Sequence, residues 1–575
     1  MNDLEQLTNR NDQMASEMLD WQVTDKTSRY FGGITEENTG VPNPSHEGTC
    51  SVIATWVSSY LNKASHLYQN DQLRERIGYA LDYMLSRQHE DGTISPTWTN
   101  YHSPPDTAFI VTGYAQLYRL LSDHQEWELG EKVLQFLKRA KPAMLTGGCH
   151  TPNHRWVLTA ALAHLYAIFQ EERLKQRAEE WLDEGMDITY DGEWTERSNG
   201  IYNAVSNISL YYTAVLLDKP ELLQFVRRNL DMMVYLIHPD GSIVTDYSGR
   251  QDLGRKYNLA PYHLIYRLMA VNDQNAVYFS MANLALKDVS RMGPVNNHLM
   301  LGYLFHPEIK EVPLKPAPLP ANYEVVINEH SSIENDLIQL EESQSQPEFK
   351  HSSRHTSFGA PTVRYREGEM SATVMAKNPS FFSLQSGAVS LVGVELYTNF
   401  LPGVIEFDHI EKKGKGWYQL SASMEKGYNS PIPKQSLPDT NNGESVWYLL
   451  PHAYRSLTHN QQVQITVDIK YKQAGGWSIE IETDQQEDIL TQVVFLFSQD
   501  GSLQGEQVEQ ITDHQWFWKE GTLLYEHKEE QLVLEAGQHD HWVTEFRAAR
   551  HEMLQQVKVN LVSPYCKRFT IKFTE

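Results

Sequence analysis

Between about residues 47 and 306, apolar side chains recur at three- and four-residue steps and strand-like alternation is scarce. The runs 77–85, 108–121, 156–169, 208–217 and 222–237 are predicted as helices on this pattern. Near residue 311 the texture changes. Pro313, Pro316, Pro318 and Pro320 stand at near-alternate positions, which suits a semi-rigid extended linker. Beyond it come short runs of β-branched and aromatic residues at 371–375, 389–394, 463–469, 477–482, 492–497, 532–534 and 569–573, several of them alternating polar and apolar. Many strands without intervening helices predict an antiparallel β-sandwich. The expected layout is a helical domain over 1–310, a linker over 311–322 and a sandwich over 323–575.

The helical half repeats itself. Leu81-Asp82-Tyr83-Met84 leads to His89-Glu90-Asp91-Gly92-Thr93-Ile94, and Leu230-Asp231-Met232-Met233 leads to His238-Pro239-Asp240-Gly241-Ser242-Ile243. Trp181-Leu182-Asp183 leads similarly to Asp191-Gly192, and a weaker copy ends at Gly147-Gly148. The spacing of about fifty residues fits one helical hairpin per repeat. Five or six such hairpins predict a complete or incomplete α/α toroid, with the segments that leave the outer helices converging on one mouth.

Composition narrows the function. The formal charge of −25, without a basic run, excludes nucleic acid as a partner, because phosphate backbones need clustered Lys and Arg. No apolar run reaches the ~18–20 residues of a membrane span. The polar, acidic start Met1-Asn2-Asp3 is unlike a signal peptide and predicts a cytoplasmic location. Three distant cysteines do not suggest a disulfide framework. Thirteen Trp and 30 Tyr suit large cores or sugar-stacking platforms, and composition does not separate the two.

Three segments at the predicted mouth carry candidate chemistry. In Gly148-Cys149-His150-Thr151-Pro152-Asn153-His154-Arg155, Thr151 with Pro152 marks a helix start, so Asn153 and His154 fall in a first turn that can face an anion. The stretch from Asp191 to Asn203 holds Glu193, Trp194, Glu196, Arg197, Asn199 and Tyr202, more polar and aromatic groups than a simple helix connection requires. The third segment holds Asp246, Tyr247, Arg250 and Asp252, and His102 and Asp106 occupy the equivalent place in the first repeat.

Asn153-His154 at a helix start, followed about fifty residues on by Tyr202, resembles the Asn–His…Tyr arrangement of the heparinase II/III and alginate-lyase type of polysaccharide lyase, whose architecture is an α/α toroid followed by an antiparallel β-sandwich. The resemblance implies β-elimination on an acidic, uronate-containing oligosaccharide. It also implies that Asn153 and His154 contact the uronate carboxylate, with His154 as a base, and that Tyr202 is the acid or both acid and base. Arg197 stands beside Tyr202 and is read as added positive charge, with His150 and Arg250 as further candidates of that kind. Trp194, Glu196, Asn199, Tyr247 and His102 are read as substrate contacts. Such sandwiches usually carry a His-rich segment near their start. Here the nearest is His351-Ser-Ser-Arg354-His355, an imperfect match in which His355 is the candidate. Glu406, Asp408 and His409 lack a recognised zinc spacing, so neither metal nor cofactor is predicted. Two alternatives remain open. One is a glycoside hydrolase using a carboxylate pair from Asp106, Asp191, Glu193, Glu196 and Asp246. The other is a non-catalytic carbohydrate-binding protein. Nothing in the sequence indicates an oligomeric state.

Overall fold

A computed structural model describes residues 3–96, 100–287, 289, 292–331, 357–438, 445, 447–546 and 553–574. The chain divides into two compact units, one comprising Met1–Pro320 with His330–Gly359 and the other Ala321–Glu329 with Ala360–Glu575.

Among its described residues the first unit has twelve α-helices: α1 (Asp3–Glu17), α2 (Thr49–Leu61), α3 (Asp71–Arg87), α4 (Pro104–Asp123), α5 (Trp127–Thr146), α6 (Pro152–Phe169), α7 (Glu172–Asp183), α8 (Tyr202–Leu216), α9 (Leu223–Met233), α10 (His263–Asp273), α11 (Ala276–Leu286) and α12 (Leu299–Phe305). Helices α2, α4, α6, α8, α10 and α12 each touch the next, and α12 returns to α2, closing an inner ring of six. The odd-numbered helices pack outside as hairpin partners, with α1 against α12 and α2. The expected toroid is therefore complete. Amino-acid pattern assigns the layers. In α6 every residue from Asn153 to Leu165 is buried, and Ala160, Ala161 and Ala163 keep its girth small enough for two inner neighbours. In α7 only Leu174 and Ala178 are fully buried, as expected of a helix with one inward stripe.

The Asp-Gly repeat has a steric cause. Gly92 and Gly192 sit at φ +85° and +104°, where a side chain is strained. A Cβ there would lie 2.0 Å from the Arg139 carbonyl oxygen in α5 and 2.2 Å from that of Arg228 in α9. The repeat thus lets each turn lie against the next outer helix. The preceding Asp closes the turn, with Asp91 Oδ1 accepting from Thr93 N at 2.9 Å and Asp240 Oδ1 from Ser242 N at 2.9 Å.

The unit boundaries differ from the sequence reading, which starts a linker at 311 and the sandwich at 323. The proline segment packs on the outer helices: Ser280 Oγ donates to the Ala317 carbonyl at 2.6 Å. Residues 357–359 also belong with the helices. Arg197 Nη1 donates to the Ser357 carbonyl and Gly359 N donates to Glu193 Oε2, both at 2.8 Å.

The second unit is one curled, hydrogen-bonded ladder of strands, antiparallel except where Gln515–His527 runs parallel to Leu554–Val562. All seven strand-like runs of the sequence lie within its strands. Its two layers share a single core, in which Tyr365 and Phe382 from the early strands meet Trp477 at ring-centroid distances of 5.3 and 5.4 Å. That facing of early against late strands makes the ladder a sandwich.

Candidate active site

The six inner helices all begin at one end of the ring. Residues that precede or open them, with the loop around 250–258, line a cavity of about 800 Å³, within the ~300–1,000 Å³ usual for ligand clefts.

Buried polar side chains build the mouth. Asp252, fully buried, accepts from Ser198 Oγ and Gly200 N at 2.9 Å each and from Ser248 Oγ, tying the segment before α8 to the loop at 246–252. Asn199 donates to the Val244 carbonyl at 2.9 Å and to Tyr247 Oη at 3.1 Å. Gly249 N donates to the Arg197 carbonyl at 3.1 Å. A loop so pinned holds Arg250 and Gln251 over the start of α8.

Four predicted site residues line the cavity: His150, His154, Tyr202 and Arg250. Tyr202 opens α8. Its Oη accepts from Gln251 Nε2 at 2.6 Å, and the Arg250 guanidinium lies 4.4 Å from its ring centroid. Burial raises the phenol above its ordinary value, and Arg250 and Gln251 partly offset that rise. Arg250 also pairs with Glu196. His154 lies in the first turn of α6, edge-on to His150 at 4.8 Å. Burial lowers its pKa to about 3, helped by the neighbouring His150, Arg250 and His46, so it is neutral at physiological pH. Its Nδ1 is buried and has no hydrogen-bond partner among the described residues.

The other predicted residues do not line the cavity. Asn153 is 1% exposed and turns to Glu196, donating to Oε2 at 2.7 Å, so it positions the Glu196–Arg250 pair rather than meeting a ligand directly. Burial pushes the Glu196 carboxyl up to about 7 against the pull of Arg250 and Asn153. Arg197, read from sequence as positive charge for the substrate, is 2% exposed. Its guanidinium lies 3.4 Å from Glu193 and 4.9 Å from the Tyr247 ring centroid, which makes it a buried brace for the chain at 357–359. Trp194 is buried and donates to Asn207 at 3.1 Å, and Asn199 and Tyr247 belong to the mouth scaffold. His102 is exposed, stacked on His89 at 3.8 Å and bonded to Asp91 at 2.8 Å. His355 lies outside the described residues. Of the five carboxylates weighed for hydrolysis, only Asp106 lines the cavity, held by Ser103 and by Asn100 at 2.9 Å.

The sequence reading missed His46, Glu47, Gln251, Tyr257, Asn296 and Asn297, all of which line the cavity. His46 stacks on Phe109 at 4.2 Å and 12°, and Phe109 meets His154 edge-on at 6.2 Å. Burial lowers the His46 pKa, with Glu47 and Asp106 opposing. Asn296 and Asn297 precede α12, the place that the repeat assigns to mouth residues, but no Asp-Gly turn marks that hairpin.

No protein-family model matches the sequence, and no curated protein matches it. The fold is similar to that of a chondroitin AC lyase from Streptomyces coelicolor A3 in complex with chondroitin sulphate, at 11% identity and a TM-score of 0.52, over 99% of this chain and 79% of that one. It is also similar to a crystal structure of heparinase III, at 10% identity and a TM-score of 0.53, over 98% of this chain and 84% of that one. At these identities the likeness is one of fold: a helical toroid followed by an antiparallel-rich β unit.

Proposed function

We propose that this chain is a polysaccharide lyase that cleaves a uronate-containing glycan by β-elimination. The observation that carries the reading is the meeting of Tyr202, His154 and Arg250 at one wall of the mouth. Two carboxylates behind that wall are committed to partners within the protein, Glu196 to Arg250 and Asp252 to Ser198 and Gly200. The lyase folds of similar architecture support it.

The C5 proton of a uronate lies α to a carboxylate and is weakly acidic, so the site must neutralise that carboxylate and the charge that develops on it. Arg250, together with the N–H groups of the first turn of α6, supplies positive potential there. His154 accepts the C5 proton as the C5–H bond breaks. Burial holds its pKa low, and the arriving carboxylate raises it by favouring the imidazolium. The electron pair forms the C4–C5 double bond and the C4–O4 bond breaks. Tyr202, kept protonated by burial, gives its phenolic proton to the leaving O4. Arg250 above the ring and the Gln251 amide on Oη stabilise the resulting phenolate. Proton transfer from imidazolium to phenolate restores the site.

The test is a panel of uronate oligosaccharides followed by absorbance of the conjugated product. Tyr202→Phe is expected to cut kcat by ~10²–10⁴-fold, the usual worth of a positioned acid or base, with unchanged folding. New reducing ends without absorbance would sink the lyase reading and favour hydrolysis by Glu47 and Asp106, the two carboxylates that line the cavity.

A further inference from the structure

The wall made by residues 292–297 has a different character from the one that carries Tyr202. It is built on purpose into the ring. Gly113 in the middle of α4 has no side chain, and a Cβ there would sit 2.4 Å from Val295 Cγ2, so this glycine admits the 295–297 turn. Val295 N donates to the His46 carbonyl at 3.4 Å, and Asn297 Nδ2 donates to the Pro261 carbonyl at 2.8 Å. The turn is thereby joined to the segments that open α2 and α10.

That second bond fixes the Asn297 amide, because the flipped amide would set oxygen against oxygen. Its Oδ1 is therefore an acceptor, and it is buried without a hydrogen-bond partner among the described residues. Asn296 Oδ1 and His46 Nδ1 are also buried without a hydrogen-bond partner among the described residues, and since no bond fixes that amide or that ring, each can accept or donate to a hydroxyl. Asn296 and Asn297 are 3% and 6% exposed, so these are built, desolvated groups awaiting a partner. An acceptor needs a hydroxyl or amide N–H, and it repels the oxygens of a sulfate or carboxylate. Charge points the same way. Among the described lining residues Arg250 is the one Arg or Lys, and the uronate carboxylate takes it, which leaves no second cation for a further anion, while Glu47 and Asp106 add negative charge.

We propose that the subsite formed by His46, Asn296 and Asn297 holds an uncharged, unsulfated sugar beside the uronate, so that the substrate class is an alternating glycan of uronic acid and neutral sugar. This rests on the lyase reading for the identity of the uronate. It separates this chain from lyases of sulfated glycans and of polyuronates.

The experiment compares unsulfated chondroitin, chondroitin sulfate and polymannuronate oligosaccharides of equal length. Turnover is read by product absorbance on the wild-type chain, and binding is read by calorimetry on Tyr202→Phe. The expected result is at least tenfold higher kcat/KM and at least tenfold tighter binding for unsulfated chondroitin than for either other glycan. Glu47→Lys, at an exposed position, is expected to narrow the gap to chondroitin sulfate several-fold. Equal or better binding of chondroitin sulfate or polymannuronate would overturn the subsite. Binding with the expected preference but no absorbing product from any glycan would overturn the lyase reading and leave the subsite standing.

Discussion

Replacing Arg250 by Met removes the charge while keeping most of the side-chain volume, and its cost is set by Glu196. That carboxyl is 3% exposed in its side chain and is held at about 7, against an ordinary 4.5, mainly by burial. At about 1.4 kcal/mol per pKa unit, the rise corresponds to roughly 3 kcal/mol of stability lost between pH 4.5 and 7, because the folded protein keeps a proton that the unfolded chain has released. Above pH 7 the wild-type carboxyl ionises against Arg250 and the loss stops. In Arg250→Met only the Asn153 amide still opposes burial, the carboxyl keeps its proton to higher pH, and the loss continues. At pH 6 both proteins are protonated there, and the variant lacks only the guanidinium stacked on Tyr202, worth about 1 kcal/mol. By pH 8.5 the deficit grows by about 2 kcal/mol more, at about 1.4 kcal/mol per pH unit. Urea unfolding followed by far-ultraviolet circular dichroism, which is dominated by the helical unit, measures this at pH 6, 7, 8 and 8.5. Made on a Glu196→Gln background, the same substitution should show no pH trend. A deficit that is constant with pH, or that shrinks as pH rises, would refute the reasoning.

Three further outcomes are expected. His164 is buried on the inner face of α6 with Nε2 unpartnered, and burial lowers its pKa to about 3. The folded state therefore loses stability as pH falls below 6.5, and at pH 4.5 His164→Leu should recover about 2–3 kcal/mol relative to its effect at pH 7.5, read as a lower acid-unfolding midpoint. Arg197→Met strips Glu193 of its buried partner and should cost ~3–5 kcal/mol in urea unfolding while leaving the KM of the folded protein unchanged; a raised KM without destabilisation would return Arg197 to the substrate site. Gly113→Ala forces Val295 aside and should cost about 1–3 kcal/mol, with oligosaccharide binding weakened in calorimetry because Asn296 and Asn297 move with Val295.

The glycines and inward stripes of the repeats are local signals, since φ and side-chain period are set within a few residues. Five of the twelve helices, the hairpin repeat and seven of the strands were therefore legible from the chain alone. So were His154 and Tyr202, because a Thr-Pro helix start and the polar run before α8 place them at the mouth. The number of hairpins in the ring was not, since closure depends on α12 meeting α2 and α1, residues far apart in sequence. The same limit hid the buried setting of Arg197, whose partner Ser357 lies 160 positions away. It also hid His46, Asn296 and Asn297, which no local pattern marks and which line one cavity only when ring closure brings the start of α2 beside the turn before α12. Backbone geometry and amphipathicity are decided by neighbours in sequence. Whether a polar side chain becomes a brace or a ligand for substrate is decided by what desolvates it, and in a closed ring those groups come from the other end of the chain.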